Sequence, residues 1–396
     1  MPSLNEELNL RLREIREQNL YRELRRVDSP QTPHIQIDGR SLLNFSSNDY
    51  LGLANDPRLK EAAIHALEKF GAGAGASRLI CGSLAPHHEL EAALAAFKGS
   101  EAALTFSSGY AAALGTISAL LGKDDVIVID KLVHACIVDA AKLSGAKLRV
   151  FAHNDLDGLE NILQWSDQRS AKLTVARRPR TLVVTESVFS MDGDHAPLDQ
   201  LVELKEKYGA WLMVDEAHAT GLYGSRRRGL AEALGVNDRI EIQMGTLGKA
   251  LGAAGGYICG SRVLLDYLVN RARTFIFSTA PPPSVAAAAT EAIHTVQSSD
   301  GEARCHLLWQ CVTEFAAATD LQTRQACAII PILIGEESQA LEAARDLRES
   351  AIFVPAIRYP TVPRGQARLR VTLTASHTSE DVSTLLAALA HLKSQI

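Results

Sequence analysis

The chain has 396 residues, of which 46% are hydrophobic and 22% are charged, and its formal net charge at pH 7 is −5. This is the composition of a globular protein, long enough for one large and one smaller domain. Basic residues are interspersed with acidic ones, so a nucleic-acid or membrane partner is not expected. Six cysteines without a C-x-x-C pair favour reduced thiols in a cytoplasmic protein over disulfides or a zinc site.

The first segment is predicted to be an N-terminal helical arm, residues 1–45, that is not a signal peptide. Its opening MPSLNEELNLRLREIREQ has apolar residues at helical spacing among many charges. No apolar run in the chain approaches the ~20 residues that a membrane-spanning helix needs. We therefore expect no membrane segment.

The sequence GAGAGA at 71–76 formally matches the G-x-G-x-x-A pattern of dinucleotide-binding proteins. That pattern requires a strand directly before it. Here the preceding residues, EAAIHALEKF, have the spacing of a helix. We therefore attribute the match to the local density of glycine, and keep NAD binding only as an alternative.

A large domain is predicted over residues 46–288, because short apolar runs alternate there with helical patterns. These runs are VIVID (126–130), KLRVF (147–151), TLVVTES (181–187), WLMVDE (211–216) and IEIQMG (240–245). The alternation predicts an α/β fold with a mostly parallel sheet. In such a sheet ligands bind beyond the carboxyl ends of the strands.

After about residue 290 the pattern changes, and residues 289–396 are predicted to form a smaller α+β domain. The predicted strands are ACAIIPILIG, AIFVPAIR and ARLRVTLT, and EDVSTLLAALAHL predicts a closing helix.

Two charged residues come at the ends of neighbouring predicted strands. Asp215 ends a buried strand, where a carboxylate is costly without a cation, and Lys249 follows the next strand within GTLGKALGAAGG. A partly desolvated lysine is suited to form a Schiff base, and an aspartate facing a ring nitrogen completes the protein contribution to pyridoxal phosphate (PLP) chemistry. On this interpretation the glycines leave room for a cofactor and substrate, and Thr246 offers its hydroxyl to the phosphate.

Other patterns are compatible with the same site, although each has an ordinary structural alternative. The segment LTFSSGYAAALG (104–115) predicts a helix N-terminus that could bind phosphate. His134 follows a strand and could lie on a cofactor ring or simply be packed. Ser190, Asp192 and Asp194 crowd together after another strand, but they lack the ligand set of a calcium loop, so no metal is predicted.

Taken together, these residues and motifs resemble the α-oxoamine synthases, PLP enzymes of fold type I, over essentially the full chain. The matching stretches are NFSSNDYLGLA (44–54), GAGAGASRLICGS (71–83), FSSGYAAALG (106–115), DKLVHA (130–135), FAHND (151–155), ESVFSMDGDHAPL (186–198), VDEAHATG (214–221), GTLGKALGAAGG (245–256) and RLRVTLTASH (368–377). Tyr359 stands where the family more often has proline.

The resemblance implies a role for each matching residue. Lys249 binds the cofactor covalently and moves the proton at the amino-acid Cα, and Asp215 pairs with the ring nitrogen. His218 and Ser190 reach the ring oxygen, and His134 stacks on the ring. The phosphate is held by Gly109, Tyr110 and Thr246, with Ser278 and Thr279 from a neighbouring subunit of a homodimer. Substrate contacts are implied for Arg370, which binds the amino-acid carboxylate, and for Arg358, Asn48 and either Arg22 or Arg25.

The implied activity is an acyltransfer in which an amino acid condenses with an acyl thioester and loses CO2. VFSMDGDHAPL and IRYPTVPRGQARLR favour the member that joins L-alanine to a pimeloyl thioester, carried by CoA or acyl carrier protein, in biotin biosynthesis. The alternatives are members of the 5-aminolevulinate synthase, glycine C-acetyltransferase or serine palmitoyltransferase type. A fold type I aminotransferase and a PLP-binding protein without activity are further alternatives.

Overall fold

The computed structural model describes residues 2–172, 179–319 and 327–393. Ala326, the first residue of the predicted strand ACAIIPILIG, lies outside these ranges. The chain forms two compact units. The larger unit consists of residues 51–190 and 194–305, and the smaller unit of residues 1–50, 191–193 and 306–396. The predicted domain boundaries, after residues 45 and 288, stay a prediction.

The described residues contain thirteen strands. In chain order they are β1 (His34–Ile37), β2 (Arg40–Asn44), β3 (Ala102–Phe106), β4 (Val126–Asp130), β5 (Lys147–Phe151), β6 (Thr181–Glu186), β7 (Trp211–Asp215), β8 (Ile242–Thr246), β9 (Gly256–Gly260), β10 (Ile329–Gly335), β11 (Ile352–Phe353), β12 (Ala356–Ile357) and β13 (Ala367–Thr372). All five strands predicted in the middle of the chain are confirmed, and ACAIIPILIG and ARLRVTLT contain β10 and β13. The predicted strand AIFVPAIR instead forms two short strands, β11 and β12, which belong to different sheets.

The same residues contain fourteen α-helices. They are α1 (Leu4–Glu17), α2 (Pro57–Phe70), α3 (Ala85–Lys98), α4 (Gly109–Leu120), α5 (Ala135–Ser144), α6 (Leu156–Lys172), α7 (Leu198–Lys207), α8 (Leu230–Ala233), α9 (Arg262–Arg271), α10 (Arg273–Ile276), α11 (Pro283–Gln297), α12 (Ser299–Ala317), α13 (Glu337–Glu349) and α14 (Ser379–Lys393). No described helix is both long and apolar enough to cross a membrane.

The larger unit is built on a seven-stranded sheet with the strand order β3-β9-β8-β7-β6-β4-β5. Its neighbours pair in parallel except on the two sides of β9, which is antiparallel to both β3 and β8. The mostly parallel sheet is therefore confirmed. Because the strands from β4 to β8 all run in one direction, the residues that follow them gather at one edge of the sheet.

The sheet is covered by apolar side chains, which explains why polar and apolar residues do not alternate along its strands. Every residue of β3 and β4 is buried, and residues of β3, β4, β6 and β8 share one core cluster with α4 and α5. Strands buried on both faces are expected to be continuously apolar. The core therefore holds the sheet rigid where the functional side chains begin.

The predicted helix before GAGAGA is confirmed as α2, which ends at Phe70 directly before Gly71. A dinucleotide-binding loop would need a strand in that place. The structure thus supports the interpretation of this match as a coincidence.

The smaller unit contains two three-stranded sheets, β1-β2-β11 and β10-β13-β12. The predicted N-terminal helix is confirmed as α1, and the hairpin of β1 and β2 follows it within the predicted arm. Strand β13 is entirely buried, and it carries Arg368 and Arg370.

Candidate active site

Asp215, His218 and Lys249 come together at the carboxyl edge of the larger unit's sheet. Asp215 is the last residue of β7, is 6% exposed, and accepts a hydrogen bond from the Ala217 N–H at 2.9 Å. The Nζ atom of Lys249 lies 2.9 Å from Nε2 of His218. Burial raises the pKa of Asp215, and the charge of Lys249 opposes that rise. A cationic ring nitrogen beside Asp215 would offset the same cost of burial.

The next strand end offers an anion site. Strand β8 ends at Thr246, whose Oγ1 atom is buried and has no hydrogen-bond partner among the described residues. A Cβ atom added at Gly109 would lie 2.6 Å from Thr246 Cγ2, so the Thr246 side chain stands beside the start of α4. Buried hydroxyls without a partner are uncommon, and a helix N-terminus attracts phosphate. The pair therefore fits the phosphate of PLP.

The first turn of α4 leaves two N–H groups for such a phosphate. Ser108 caps the helix by accepting from the Ala111 N–H at 3.1 Å, and the N–H groups of Gly109 and Tyr110 have no partner inside the helix. The Tyr110 hydroxyl donates to Asp139 at 2.5 Å, and this hydrogen bond raises the pKa of Tyr110. Tyr110 would therefore bind phosphate through its backbone rather than its hydroxyl.

His134 is the N-cap of α5, just beyond the end of β4. Its Nδ1 atom accepts a hydrogen bond from the Cys136 N–H at 3.2 Å, which assigns the ring proton to Nε2. Desolvation lowers the pKa of His134, the charge of Asp215 opposes this change, and Lys249 adds to it. The ring is thus neutral and held in one orientation, as stacking on a flat cofactor requires.

Ser190 follows β6 and is buried, and its N–H donates to Glu186 Oε2 at 3.2 Å. The two nearby acids that we considered for a metal have other partners. Asp192 forms an ion pair with Arg368 at 2.7 Å within the smaller unit, and Asp194 binds His153 at 2.6 Å within the larger one. Across the described ranges, no group of three or more His, Cys, Asp or Glu side chains could hold a metal ion.

Glu186 is a site residue that the sequence patterns did not single out. It ends β6 and lies in register with Asp215 on the neighbouring strand β7. Burial, and then repulsion from Asp215, raise the pKa of Glu186, and its Oε1 atom has no hydrogen-bond partner among the described residues. The sequence signal for Glu186 is the same as that for Asp215, namely an acidic residue at the end of an apolar run, here TLVVTES.

The glycines around Lys249 differ from our expectation that they leave room for a ligand. A Cβ atom at Gly245 would lie 2.3 Å from the Tyr257 hydroxyl, and one at Gly256 would lie 2.5 Å from the Gly109 nitrogen. Gly252 has φ +60° and packs against the backbone of Ala54. Protein atoms fill the space at these three positions, so these glycines allow close backbone packing instead.

In the smaller unit, the two arginines of β13 have different surroundings. Arg368 is neutralised by the Asp192 carboxylate. Arg370 is buried, and its Nη1 atom donates to Asn48 Oδ1 at 3.1 Å and to Thr372 Oγ1 at 2.8 Å. Asn48 and Thr372 are both neutral, so these two hydrogen bonds hold the guanidinium in place without an ion pair.

Arg22, Arg25 and Arg358 line one cavity of about 730 Å³ in the smaller unit. Arg358 is buried and donates to the carbonyl oxygens of Asn19 and Tyr21. Burial, and then the positive charge of Arg22, lower the pKa of Arg358. Two cations that repel each other in a cavity suit an anionic ligand.

Ser278 and Thr279 lie in a segment that is anchored within its own subunit. The Ala280 N–H donates to the Ala76 carbonyl at 3.0 Å, and Thr279 forms an isolated bridge with Ser77. Thr279 is exposed, and so is the neighbouring Phe277, at 70%. This part of the larger unit therefore presents both polar and apolar groups outward.

Residues 40–389 match the family model of class I and II aminotransferases. An 8-amino-7-oxononanoate synthase from Anaeromyxobacter dehalogenans is 50% identical over 374 residues, which cover 94% of this chain and 91% of that protein. The chain belongs to the α-oxoamine synthase family.

Solved structures agree with this membership. The α-oxoamine synthase fold of this chain is similar to that of a serine palmitoyltransferase from S. paucimobilis with a bound PLP–myriocin aldimine, with a TM-score of 0.90 and 29% identity, covering 100% of this chain and 99% of that one. An 8-amino-7-oxononanoate synthase from Francisella tularensis has a TM-score of 0.72 and 30% identity, covering 90% and 99%. The predicted fold type I class is confirmed.

Proposed function

We propose that this α-oxoamine synthase is a PLP-dependent acyltransferase that condenses L-alanine with a pimeloyl thioester. The products are CO2, the free thiol carrier and 8-amino-7-oxononanoate, an intermediate of biotin biosynthesis. The observation that carries the reaction type is the strand-end cluster in which Lys249 Nζ lies 2.9 Å from His218, beside the buried Asp215. The similarity to 8-amino-7-oxononanoate synthases over nearly the whole chain supports this member of the family.

When bound, PLP supplies an electron sink for the negative charge that develops at the amino-acid Cα. Asp215 would hold the proton on the ring nitrogen, and it is buried enough for that ion pair to be strong. Lys249 would remove the Cα proton and later return one. His218, within hydrogen-bond distance, orients the lysine amine and can share its proton.

We propose the remaining cofactor contacts from the residues that stand at or near the strand ends. The Thr246 hydroxyl and the N–H groups of Gly109 and Tyr110 would hold the phosphate, His134 would cover the ring, and Ser190 would donate to the ring oxygen. Arg370 would bind the alanine carboxylate through its guanidinium fork, with Asn48 holding Nη1 in place.

We also propose that the enzyme is a cytoplasmic homodimer in which Ser278 and Thr279 complete the phosphate site of the neighbouring subunit. The support is the outward presentation of Thr279 together with the exposed apolar side chains Phe277 and Ile80. Phe277 stands two residues before Thr279, and Ile80 three residues after Ser77, the bridge partner of Thr279. Exposed apolar surface of this kind is typical of a face that another chain covers.

The charges of the smaller unit's cavity favour pimeloyl over palmitoyl as the acyl group. A pimeloyl chain ends in a carboxylate, whereas a palmitoyl chain ends in a methyl group. The cavity contains Arg358 and Arg22, whose mutual repulsion an incoming carboxylate would relieve. We choose Arg22 over Arg25 as the N-terminal substrate arginine, because the charge of Arg22 acts on Arg358 and its side chain donates to the Tyr359 carbonyl at 3.0 Å.

Replacing Arg22 with glutamine is expected to raise KM for pimeloyl thioester by roughly 10-fold, because one charge-assisted hydrogen bond is lost. KM for octanoyl thioester, which lacks the carboxylate, should not change. Arg25→Gln and Arg11→Gln, the latter at an exposed ion pair of α1, serve as controls and should match the parent enzyme. An equal KM change with both thioesters would contradict the assignment of Arg22.

The function itself is tested by following free thiol release from pimeloyl thioesters of CoA and of acyl carrier protein. Alanine, glycine and serine are compared side by side. We expect the highest kcat/KM with alanine. An aminotransferase would release no thiol, and a member of the glycine- or serine-using types would prefer those amino acids.

A further inference from the structure

The motif FAHND places a histidine between two aspartates outside the contacts proposed for the cofactor. His153 follows β5, and its Nδ1 atom lies 3.1 and 3.2 Å from the two carboxylate oxygens of Asp130. Its Nε2 atom lies 2.6 Å from Asp194 Oδ2. The Asp130 side chain is fully buried, whereas that of Asp194 is partly exposed. We call these three residues the His153 clamp.

Both ring nitrogens of His153 face a carboxylate, and this requires a charged ring. A neutral imidazole can donate from only one nitrogen, so the other would direct a lone pair at an anion. Burial alone would lower the pKa of His153, but hydrogen bonds to Asp130 and Asp194 outweigh it and raise the pKa to about 10. These two acids are the charged groups that act on the pKa of the ring. The Nδ2 atom of Asn154 lies 3.3 Å from His153 Nε2, and the Phe189 ring lies edge-on to the imidazole at 4.4 Å.

The first half of the clamp belongs to the segment that leads to His134. Asp130 is the last residue of β4, and its Oδ1 atom also accepts from the Leu132 N–H at 2.7 Å. Its Oδ2 atom accepts from the Asn154 N–H at 2.9 Å. The carboxylate thus binds together the residues after β4 and after β5.

The second half of the clamp belongs to the segment that carries Ser190. The Phe189 N–H donates to the Asp194 carbonyl at 3.0 Å, and Ser190 follows directly. Asn154 Nδ2 donates to the His195 carbonyl at 3.1 Å, and His195 pairs with Val188. His153 therefore links the ends of β4, β5 and β6, which are neighbours in the sheet.

We propose that His153 is a positioning residue of the cofactor site, which fixes the segment of His134 relative to the segment of Ser190. His134 and Ser190 are the groups proposed to cover the ring and to bind its oxygen, so the inference rests on the proposed function. Loss of the clamp loosens both contacts without removing either side chain. The effect on the cofactor is therefore indirect.

The test uses PLP-loaded protein labelled with ¹⁵N-histidine, compared as parent, His153→Gln, Asp194→Asn and His294→Gln. His294 is an exposed histidine of α11 and serves as the control. In the parent, NMR should show one histidine with both nitrogens protonated at pH 8.5, and this signal should be absent from His153→Gln. In Asp194→Asn the same ring should lose its proton at a lower pH.

Cofactor readouts separate positioning from a purely structural role. His153→Gln should bind PLP roughly 10-fold more weakly, because removing a hydrogen bond that orients a ligand-binding group typically weakens binding to this extent. The variant should also shift the pH midpoint of the visible absorbance change of bound PLP. Asp194→Asn should shift this pH midpoint in the same direction but by less. If His153→Gln does not fold, the comparison of Asp194→Asn with the parent is the test.

Two results would overturn the proposal: a His153 ring that titrates below pH 7, or unchanged PLP affinity and absorbance midpoint in both variants. Failure of the proposed function looks different. In that case the parent protein itself would bind no PLP or release no thiol, while the His153 signal would persist.

The clamp also predicts how stability depends on pH. The pKa of His153 is raised from its ordinary value of 6.5, so the ion pairs contribute fully below pH 6.5 and are lost as the pH rises through about 10. We expect Tm to fall more between pH 7 and 10 in the parent than in His153→Gln. Parallel decreases in the two proteins would contradict a charged clamp.

Discussion

Lys249→Ala is expected to reduce turnover by at least about 10³-fold and to remove the visible absorbance of the PLP-loaded protein. The reason is that Lys249 is proposed both to hold the cofactor covalently and to move the Cα proton. Lys249 is half-buried and its Nζ atom lies 2.9 Å from His218, a position that no other lysine of the described segments is shown to share. Thiol release and an absorbance spectrum of the same sample provide the measurement.

Two further variants make the Lys249 experiment specific. Lys249→Arg keeps a positive charge but cannot bond covalently to the cofactor, so it should be as inactive as the alanine variant. Lys207→Ala removes an exposed lysine paired with Glu160 and should leave turnover unchanged. Normal turnover by Lys249→Ala would rule out the proposed chemistry. Borohydride treatment should attach the cofactor to the peptide containing residue 249 in the parent enzyme and in Lys207→Ala, but in neither Lys249 variant.

The second large effect concerns stability rather than chemistry. Lys98 and Glu216 form a fully buried ion pair at 2.5 Å, and Lys98 Nζ also donates to the Arg228 carbonyl. The other Glu216 oxygen accepts from the Ala231 N–H at 2.9 Å. Lys98→Met would leave the Glu216 charge buried without a cation. We expect this to lower the free energy of unfolding by about 3–5 kcal/mol, the usual cost of breaking a buried pair.

A second lysine–glutamate pair provides a control that separates the effect of removing a lysine side chain from the effect of burying its partner carboxylate. Lys205 and Glu241 lie 2.6 Å apart, but Glu241 is 39% exposed and keeps its hydration when the lysine is removed. Lys205→Met should therefore cost about 1 kcal/mol or less. Denaturant unfolding of both variants gives the comparison. Equal losses would show that burial of Glu216 does not matter, and the double variant Lys98→Met/Glu216→Gln should recover part of the stability.

The strands that could be predicted are those whose own residues show a clear strand pattern. VIVID and TLVVTE are rich in β-branched residues, and they form β4 and β6 as expected. Strand β9, GYICG, was not predicted, because glycine at both ends leaves only three side chains to show a pattern. It forms by pairing between β3 and β8, which supply its hydrogen bonds from distant parts of the chain.

In the candidate site, too, some residues could be predicted from local sequence patterns and others could not. Asp215, Thr246 and Lys249 could be predicted because each stands at or just after an apolar run, and parallel strands bring such ends to one edge. Gly245, Gly252 and Gly256 could not be interpreted correctly, because the Tyr257 ring and the backbones at Ala54 and Gly109 that they contact lie outside the local pattern.

The sequence by itself therefore determined the fold class, the main strands and helices, and the strand-end positions of the residues proposed to supply the amine, the acid and the anion site. Only the tertiary structure decided the pairings of Lys98 with Glu216, Asp130 with His153, and Glu186 with Asp215, whose partners are separated along the chain by up to 118 residues. The physical reason is that local patterns record which face of an element is buried. The energy of a buried charge depends instead on which group the folded chain places against it.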